Sequence, residues 1–263
     1  MSWFGSPNKT SLKEQVCNII GCPQEIAERL LQRTAWKVEA AVNEYYENQH
    51  LYPLPAPKPS PVPRTDPAKI EEYFKKYKDS VANAIQEDGF VDFLTDIGVD
   101  PLEIDSLIVS YKLGCKLLGQ ISHDDFVKGC QGVGVQDVAS FKRELPRLRQ
   151  SITDAEEFQK FYRYVFLLYL GEGTSKQLPC ADCIDVWKIV LKGKFALLDE
   201  WCEFLEKKKP NTISLDTWTL LLDFSKEVHP DLSNFEEESA WPVLIEDFVN
   251  WKKGGKKDFP KKR

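Results

Sequence analysis

The residues best suited to chemistry are two cysteines, Cys180 and Cys183, which are spaced as C-x-x-C. A structural zinc site requires four ligands, and the sequence contains neither a second C-x-x-C nor a spaced histidine pair. A redox pair of this kind opens the helix of a strand–helix unit, and no pattern for such a sheet is present. We therefore predict two cysteines near a helix start, with no metal and no other cofactor.

Other kinds of active site are also disfavoured. The three histidines, His50, His123 and His229, lie far apart in the sequence and share no motif with a nucleophile. The glycines of 129–134 follow no predicted strand and lack the G-K-[ST] of a phosphate-binding loop, so we expect them to break a helix. The sequence thus favours a protein without an active site of its own.

Residues 119–126, GQISHDDF, have the spacing of the second half of an EF-hand calcium loop. Calcium also requires oxygen ligands at loop positions 1, 3 and 5. Those positions fall on Gly114, Lys116 and Leu118, which provide no carboxylate and one positive charge. The sequence therefore predicts a helix–loop–helix unit that does not bind calcium.

Residues 211–253 combine aromatic residues with carboxylates. A first helix is predicted with Ser214 as its N-cap and an end before Pro230. A second helix is predicted to open near Ser239, with Pro242 in its first turn. The predicted apolar stripes of these two helices are Trp218, Leu221, Leu222 and Phe224 in the first, and Val243, Leu244, Phe248 and Trp251 in the second.

The carboxylates of this stretch form an acidic rim made of Asp216, 236–238, Glu246 and Asp247. Such a rim is either a solvated surface or a docking surface for a basic partner. The net charge of the chain is −6, and because the last 12 residues contribute +6, the rest carries −12. An acidic body disfavours binding to nucleic acid and favours a basic protein partner.

Composition limits where the protein acts. No apolar run approaches the ~18 residues that a membrane span requires, so no membrane partner is expected, and the first residues, MSWFGSPNKTS, do not resemble a secretory signal. The seven cysteines are irregularly spaced and do not form a disulfide framework. We expect a reducing setting, in the nucleus and cytoplasm.

Apolar residues recur at helical spacing without strand-like alternation, which predicts an all-α fold. Residues 10–48 predict three short helices, and nine or ten more follow between Asp66 and Lys253. Proline at every second position of 53–63 predicts a polyproline II spacer. The predicted domains are 1–50, a linker at 51–66, a large domain at 67–253 and a basic tail at 254–263, which is either solvated or a nuclear-import patch.

Local signals set the expected helix ends in the first domain. Ser11 and Glu14 fit a capping box at the start of the first helix. Gly21 and Pro23 fit the end of that helix and the start of the next. Thr34 is expected to cap the third helix.

Two phrases of the acidic stretch, LDTWTLLLDFS and SNFEEESAWPVLIEDFV, resemble the C-terminal signature of the defective-in-cullin-neddylation family, within its PONY domain. The resemblance implies a helical domain with degenerate EF-hand-like helix pairs. It also implies a scaffold without catalytic residues, which holds a cullin and the neddylation conjugating enzyme together. A cullin-associated RING protein is a further implied partner.

The resemblance implies that the cullin's winged-helix end binds an Asp–Ala–Asp patch. The first two positions fall on Asp216 and Ala240. The third position carries Glu246, which keeps the negative charge but adds one methylene. Asp247 lies next to it in the sequence and is expected to share its role.

A second implied site is an apolar pocket for the acetylated N-terminal methionine of the conjugating enzyme. Its positions fall on Phe90, Leu107, Ser110, Gly119, Ile121 and Leu168. Because Ser110 is polar and Gly119 has no side chain, an ordinary core is the alternative interpretation. Such a pocket favours an uncharged N-terminus over an ammonium group.

Residues 34–48, TAWKVEAAVNEYYEN, are similar to the third helix of a ubiquitin-associated (UBA) domain. The resemblance implies ubiquitin contacts through Ile20, Gly21, Cys22 and Tyr45. The first loop residue is Ile20 where that family has methionine, and the third is Cys22 where it has an aromatic residue. The alternative function is a ubiquitin-binding adaptor that works through this UBA-like module.

Overall fold

The computed structural model describes residues 9–20, 22, 24–48, 52, 63–173, 175–236 and 240–255. It divides the chain into two compact units, residues 1–61 and 62–263. Within the described residues every long element is a helix, which confirms the all-α prediction. None of the described helices is long and apolar enough to cross a membrane.

The first unit contains three helices, α1 (Lys9–Ile20), α2 (Gln24–Arg33) and α3 (Val38–Glu47). Its core is mostly small and aliphatic, with two tyrosines, Tyr45 and Tyr52. Tyr52, which follows α3, also packs into this core, and its hydroxyl group donates a hydrogen bond of 3.2 Å to Glu44. The fully buried members of the core are Val16, Ala27, Leu30, Leu31 and Ala41.

Two predicted caps in this unit are wrong. Helix α1 already includes Lys9, so Ser11 lies inside the helix. Thr34 does not cap α3: its hydroxyl group donates to the carbonyl of Leu30 at 2.9 Å, at the end of α2, and α3 begins at Val38. The predicted helix boundary at Gly21 and Pro23 lies outside the described residues, as do residues 53–62 of the proline repeat.

The second unit contains ten helices within its described residues, as predicted. Its first half has α4 (Pro67–Tyr77), α5 (Glu87–Asp96), α6 (Ile104–Leu113), α7 (His123–Val133) and α8 (Val138–Ser151). Its second half has α9 (Ala155–Leu170), α10 (Cys180–Val190), α11 (Leu198–Lys208), α12 (Leu215–Glu227) and α13 (Val243–Lys253).

Short strands join these helices in pairs, a feature that the sequence pattern did not predict. Strands β1 (Ala84–Ile85) and β2 (Ile121–Ser122) pair antiparallel, as do β3 (Gln177–Pro179) and β4 (Thr212–Ser214). Strands of two or three residues are too short to leave an alternating pattern in the sequence. Each half therefore contains two helix–strand–helix units joined side by side, the arrangement expected from EF-hand-like pairs.

The degenerate calcium loop contains a positively charged side chain close to one of its carboxylates. Lys116, at loop position 3, lies with its ammonium nitrogen 3.1 and 2.9 Å from the two carboxylate oxygens of Asp125, at position 12. This ion pair contributes to a lowered pKa of Asp125. The lysine thus neutralises the carboxylate that an EF-hand uses for its metal.

The glycine cluster ends a helix at its last member, as predicted, but its earlier glycines lie inside that helix. Helix α7 runs through Gly129 and Gly132 and ends at Gly134, which has a φ of 83°. A Cβ at Gly129 would lie 2.6 Å from the backbone of Leu113 in α6. Gly129 is thus needed for close packing of α6 against α7, which local sequence does not reveal.

We predict opposite effects for two alanine substitutions in α7. Gly129→Ala should lower the free energy of unfolding by about 1–3 kcal/mol, because the added methyl group overlaps the α6 backbone. Gly132→Ala has open space around its Cβ and should raise it by up to about 1 kcal/mol, through helix propensity alone. Urea unfolding of both variants measures this, and equal effects of the two would contradict the packing role of Gly129.

Candidate functional site

The acidic stretch is held in place by three stacked aromatic side chains, Tyr162 on α9, Trp187 on α10 and Trp218 on α12. The rings of Tyr162 and Trp218 lie 4.7 Å apart, and those of Trp187 and Trp218 lie 5.0 Å apart. Trp187 Nε1 donates to the Tyr162 hydroxyl group at 2.7 Å, which in turn donates to the Trp218 carbonyl at 3.0 Å. Trp218 Nε1 donates to the Tyr162 carbonyl at 3.0 Å. This fully buried cluster fixes α12 against α9 and α10.

The start of α12 presents the first candidate cullin-binding residue. Ser214 is the N-cap, as predicted, and its hydroxyl oxygen accepts a hydrogen bond from the Thr217 amide at 3.1 Å. Asp216 lies in the first turn and is exposed. A carboxylate in this position is favoured by the helix dipole. The predicted apolar stripe of α12 is fully buried, and the helix ends at Glu227, before Pro230.

Helix α13 begins at Val243 and not near Ser239, which itself lies outside the described residues. Pro242 precedes the helix with an extended ψ of 142°. Its ring also disfavours helical geometry at Trp241, the residue before it. The exposed Ala240 lies just before Trp241, which packs edge-on against Phe224 of α12 at 5.7 Å.

The buried face of α13 differs from the predicted stripe. Its buried side chains are Ile245, Phe248, Val249 and Trp251. Leu244 is only half-buried, and Val243 is 71% exposed. Since Glu246 and Asp247 lie one turn after Val243, an apolar residue and two half-buried carboxylates share one side of the helix.

Asp247 is paired within the protein, which the sequence did not indicate. The ammonium group of Lys208, at the end of α11, lies 2.5 Å from an Asp247 carboxylate oxygen. The two side chains are 29% and 36% exposed. Asp247 is therefore already neutralised, whereas the prediction treated it as equivalent to Glu246.

The helix starts of α12 and α13 border a common groove of about 330 Å³. Ser214 and Thr217 line it from α12, and Val243, Leu244 and Asp247 line it from α13. Asp216 and Glu246 are the sequence neighbours of these lining residues. Asp216 and Glu246 lie in the first turns of the same two helices, and Asp247 is the acidic residue of the three that lines the groove.

The six positions of the expected conjugating-enzyme pocket lie on α5, α6, β2, α9 and the α6–β2 loop. Phe90, Leu107, Ile121 and Leu168 are buried members of one continuous core. Ser110 is also buried, and its hydroxyl group donates to the Ser106 carbonyl at 2.8 Å. Gly119 has a φ of 70° and faces Glu87. In this structure these side chains pack as a core, and the pocket remains a prediction.

The expected ubiquitin-binding residues lie at the junction of α1 and α2 and in α3. Cys22 and Tyr45 are buried in the core of the first unit, and Ile20 is half-buried. Gly21 lies outside the described residues. Ile19, which the prediction did not include, is 55% exposed next to Ile20.

The C-x-x-C cysteines lie at the start of α10, as predicted, and both are buried. Burial raises the pKa of Cys180 to about 11 and that of Cys183 to about 12. Since the thiolate is the reactive form of cysteine, a raised pKa keeps both side chains as the less reactive thiol at neutral pH. Their environment is that of packed core residues.

Comparison with known protein families gives two matches. A family model described as "Cullin binding" matches residues 140–251, and one described as "UBA-like domain" matches residues 12–50. The first match contains the stacked aromatic cluster and every residue that lines the groove. The second match contains α2, α3 and all of α1 after its first three residues.

Relatives give the same grouping. DCN1-like protein 3 of Xenopus laevis is 34% identical over 187 residues, which cover 70% of this chain and 62% of the relative. The protein of the same name in Homo sapiens is 32% identical over 187 residues with the same coverage. Defective in cullin neddylation protein 1 of Yarrowia lipolytica is 26% identical over 242 residues, which cover 91% of this chain and 95% of the relative. The chain thus matches less than two thirds of the length of the DCN1-like 3 proteins.

We predict that the ion pair between Lys208 and Asp247 stabilises the contact between α11 and α13. Lys208→Gln should lower the free energy of unfolding by up to about 1 kcal/mol at low salt, the range for partly exposed pairs. Combining it with Asp247→Asn in a double-mutant cycle isolates this pair from other contacts of Lys208.

The matched control is Lys188→Gln, which removes a lysine whose partner Glu206 lies 3.6 Å away on a more exposed surface. Urea unfolding at low and high salt should show a smaller effect for this variant. If Lys208→Gln and Asp247→Asn act additively, the ion pair has no stabilising role.

Proposed function

The chain belongs to the defective-in-cullin-neddylation family, and on this basis we propose that it binds a cullin and promotes cullin neddylation. The observation that carries the proposal is the position of the acidic face, defined as Asp216, Ala240 and Glu246. This face lies within the segment that matches the cullin-binding family model. Its two carboxylates lie in the first turns of α12 and α13, and the buried aromatic cluster fixes α12.

The chemistry of the acidic face suits a basic partner. Hydrogen bonds between a carboxylate and Lys or Arg are shorter and stronger than neutral ones. The acidic body of the chain also increases the rate of encounter with a positively charged surface. Ala240 is exposed and has no side chain beyond Cβ, so the partner's backbone can approach closely at this point.

Glu246 extends one methylene further than the aspartate of the family pattern. Its carboxylate is half-buried in the first turn of α13, which limits the positions that it can reach. We propose that Glu246 keeps the charge contact with the cullin at a slightly greater distance from the helix. Asp247 then contributes less, because Lys208 already neutralises it.

We propose that the chain acts as a scaffold and performs no covalent step itself. A protein that holds the cullin and the charged conjugating enzyme together converts a bimolecular transfer into a local one, which accelerates it through proximity and orientation. The enzyme's acetylated N-terminus would enter between Phe90, Leu107, Ser110, Gly119, Ile121 and Leu168. Because these side chains are packed, the pocket would open only when the methionine displaces part of the core.

A second candidate function is ubiquitin binding by the UBA-like module. It is favoured by the exposure of Ile19 beside Ile20, at the junction where the family resemblance expects the contact. In this interpretation the protein is an adaptor, and the larger unit is a platform for other partners. Action in the nucleus and cytoplasm, beside a cullin-associated RING protein, is part of the same proposal.

We predict that the full-length chain binds the winged-helix end of a cullin at micromolar affinity or better, about −8 kcal/mol. Asp216→Asn should weaken binding at least tenfold by removing a charged acceptor. Ala240→Arg should abolish it, because the added side chain blocks approach and repels a basic surface. Calorimetric titration measures both effects.

Asp182→Asn is the matched control, since Asp182 is also an exposed aspartate in the first turn of a helix, α10. This variant should bind as the wild type does. Wild-type affinity for Asp216→Asn would contradict the proposed interface. Absence of cullin binding together with ubiquitin binding that Ile19→Asp abolishes would favour the adaptor function.

A further inference from the structure

A histidine lies between two carboxylates at the point where helix α7 meets helix α4. His123 is the first residue of α7, and its ring nitrogen Nε2 lies 2.8 Å from a carboxylate oxygen of Glu71 on α4. Its other ring nitrogen, Nδ1, lies 3.1 Å from a carboxylate oxygen of Asp124, the next residue of α7. The first of these contacts connects two helices, and the second stays within α7.

The surroundings of His123 fix the orientation of its ring. The ring of Phe74, a buried residue of α4, meets the imidazole edge to face, with the ring centroids 4.8 Å apart. The backbone N–H of His123 donates a hydrogen bond of 3.2 Å to the carbonyl of Asn83, in the loop before β1. The side chain of His123 is 25% exposed, so its ring can exchange protons with the solvent. The histidine is therefore held in place and can still titrate.

The two carboxylates distinguish between the charge states of the ring. A neutral imidazole donates from one ring nitrogen and carries a lone pair on the other, whereas an imidazolium donates from both. Since each ring nitrogen of His123 faces a carboxylate oxygen, only the imidazolium can donate to Glu71 and Asp124 at the same time. In the neutral form one of the two contacts lacks its proton and becomes repulsive.

The charged groups around the ring favour its protonated form. The hydrogen bond to Asp124 raises the pKa of His123 most, burial of the ring opposes this increase, and Glu71 raises the pKa further. Asp125, the next carboxylate of α7, is instead paired with Lys116 at 2.9 Å. The loop before β1 contacts the histidine through an uncharged carbonyl. The pKa of His123 is thus raised above its ordinary value by one carboxylate from each helix.

We propose that His123 forms a proton-dependent contact between α7 and α4, in which the imidazolium binds Glu71 and loss of its proton weakens the docking of α4. This helix is the first of the larger unit and follows the predicted linker at 51–66. The contact therefore makes the packing of the unit's first helix sensitive to pH. The inference concerns the first half of the larger unit and does not depend on cullin binding.

The direction of the pH effect follows from the raised pKa of His123. A group whose pKa is higher in the folded state adds stability that is fully present below its unfolded value, about 6.5 for histidine. This stability is lost as the pH rises through the folded value. The docking of α4 is therefore expected to be strongest in mildly acidic solution and to weaken as the pH rises above neutral.

The test combines two measurements on the full-length chain from mildly acidic to mildly alkaline pH. NMR of the imidazole ring gives the pKa of His123, which we expect to lie above its value in the urea-unfolded chain. Amide hydrogen exchange, corrected for intrinsic rates, gives the protection of α4. We expect this protection to fall as the ring loses its proton, tenfold for each unit of pKa difference, while the amides of α9 keep theirs.

Two variants separate the contact between the helices from the contact within α7. Glu71→Gln should lower the pKa of His123 and remove the pH dependence of α4 protection, because glutamine can hydrogen-bond to either form of the ring. Asp124→Asn should also lower the pKa of His123. It should keep a pH-dependent α4, because Glu71 still faces the ring.

His229→Gln is the matched control, since His229 is an exposed histidine after α12 whose Nδ1 lies 3.4 Å from the Ser233 hydroxyl oxygen. This variant should show the pH dependence of the wild type. Protection of α4 that does not change with pH, or that changes equally in His123→Gln, would overturn the inference. If His123→Gln does not fold, Glu71→Gln decides, because it leaves the ring in place: an unchanged pH dependence of α4 in that variant also overturns the inference.

Discussion

The larger unit depends on the hydrogen-bonded stack of Tyr162, Trp187 and Trp218. A buried hydroxyl or indole N–H that lacks a partner costs about 1–3 kcal/mol, and here each of these groups is satisfied by another member of the cluster. The three residues come from α9, α10 and α12. The cluster therefore connects three helices through directional hydrogen bonds as well as through buried apolar surface. Because α12 carries Asp216, the position of this candidate binding residue depends on the cluster.

The helix pairs are held by the protein's own groups. In each strand pair two buried residues lie opposite each other, Ile85 with Ile121 and Leu178 with Ile213. In the loop before α7, Lys116 compensates Asp125. The same solution recurs at the interface, where Lys208 compensates Asp247. Both lysines fix a carboxylate and lower the net charge that it presents to a partner.

Local signals in the sequence were sufficient to predict the start and the buried face of α12, which depend on residues within a few positions of each other. Ser214 caps α12 because its own hydroxyl group reaches the next turn, and the stripe of Trp218, Leu221, Leu222 and Phe224 is set by helical spacing alone. The family resemblance predicted the acidic face, which stays a prediction. These predictions required no knowledge of distant contacts.

Apart from the local caps at Ser11 and Thr34, the wrong predictions concern contacts between distant segments. Gly129 lies inside α7, where its lack of a side chain lets the backbone of Leu113 pack closely. Val243 fits an apolar stripe by its spacing. However, the helix starts later than predicted, and Val243, at its first position, is exposed. Nothing in the lysine run at the end of α11 indicates that Lys208 pairs with Asp247, since that pairing depends on how α13 packs.

The most direct test of the scaffold account is the initial rate of modifier transfer from the charged conjugating enzyme to a cullin in a purified reaction. The account predicts that the full-length chain raises this rate, that Asp216→Asn does not, and that the modifier never becomes attached to the chain as an intermediate. An unchanged rate with the wild-type chain, or an equal increase with Asp216→Asn, would contradict it.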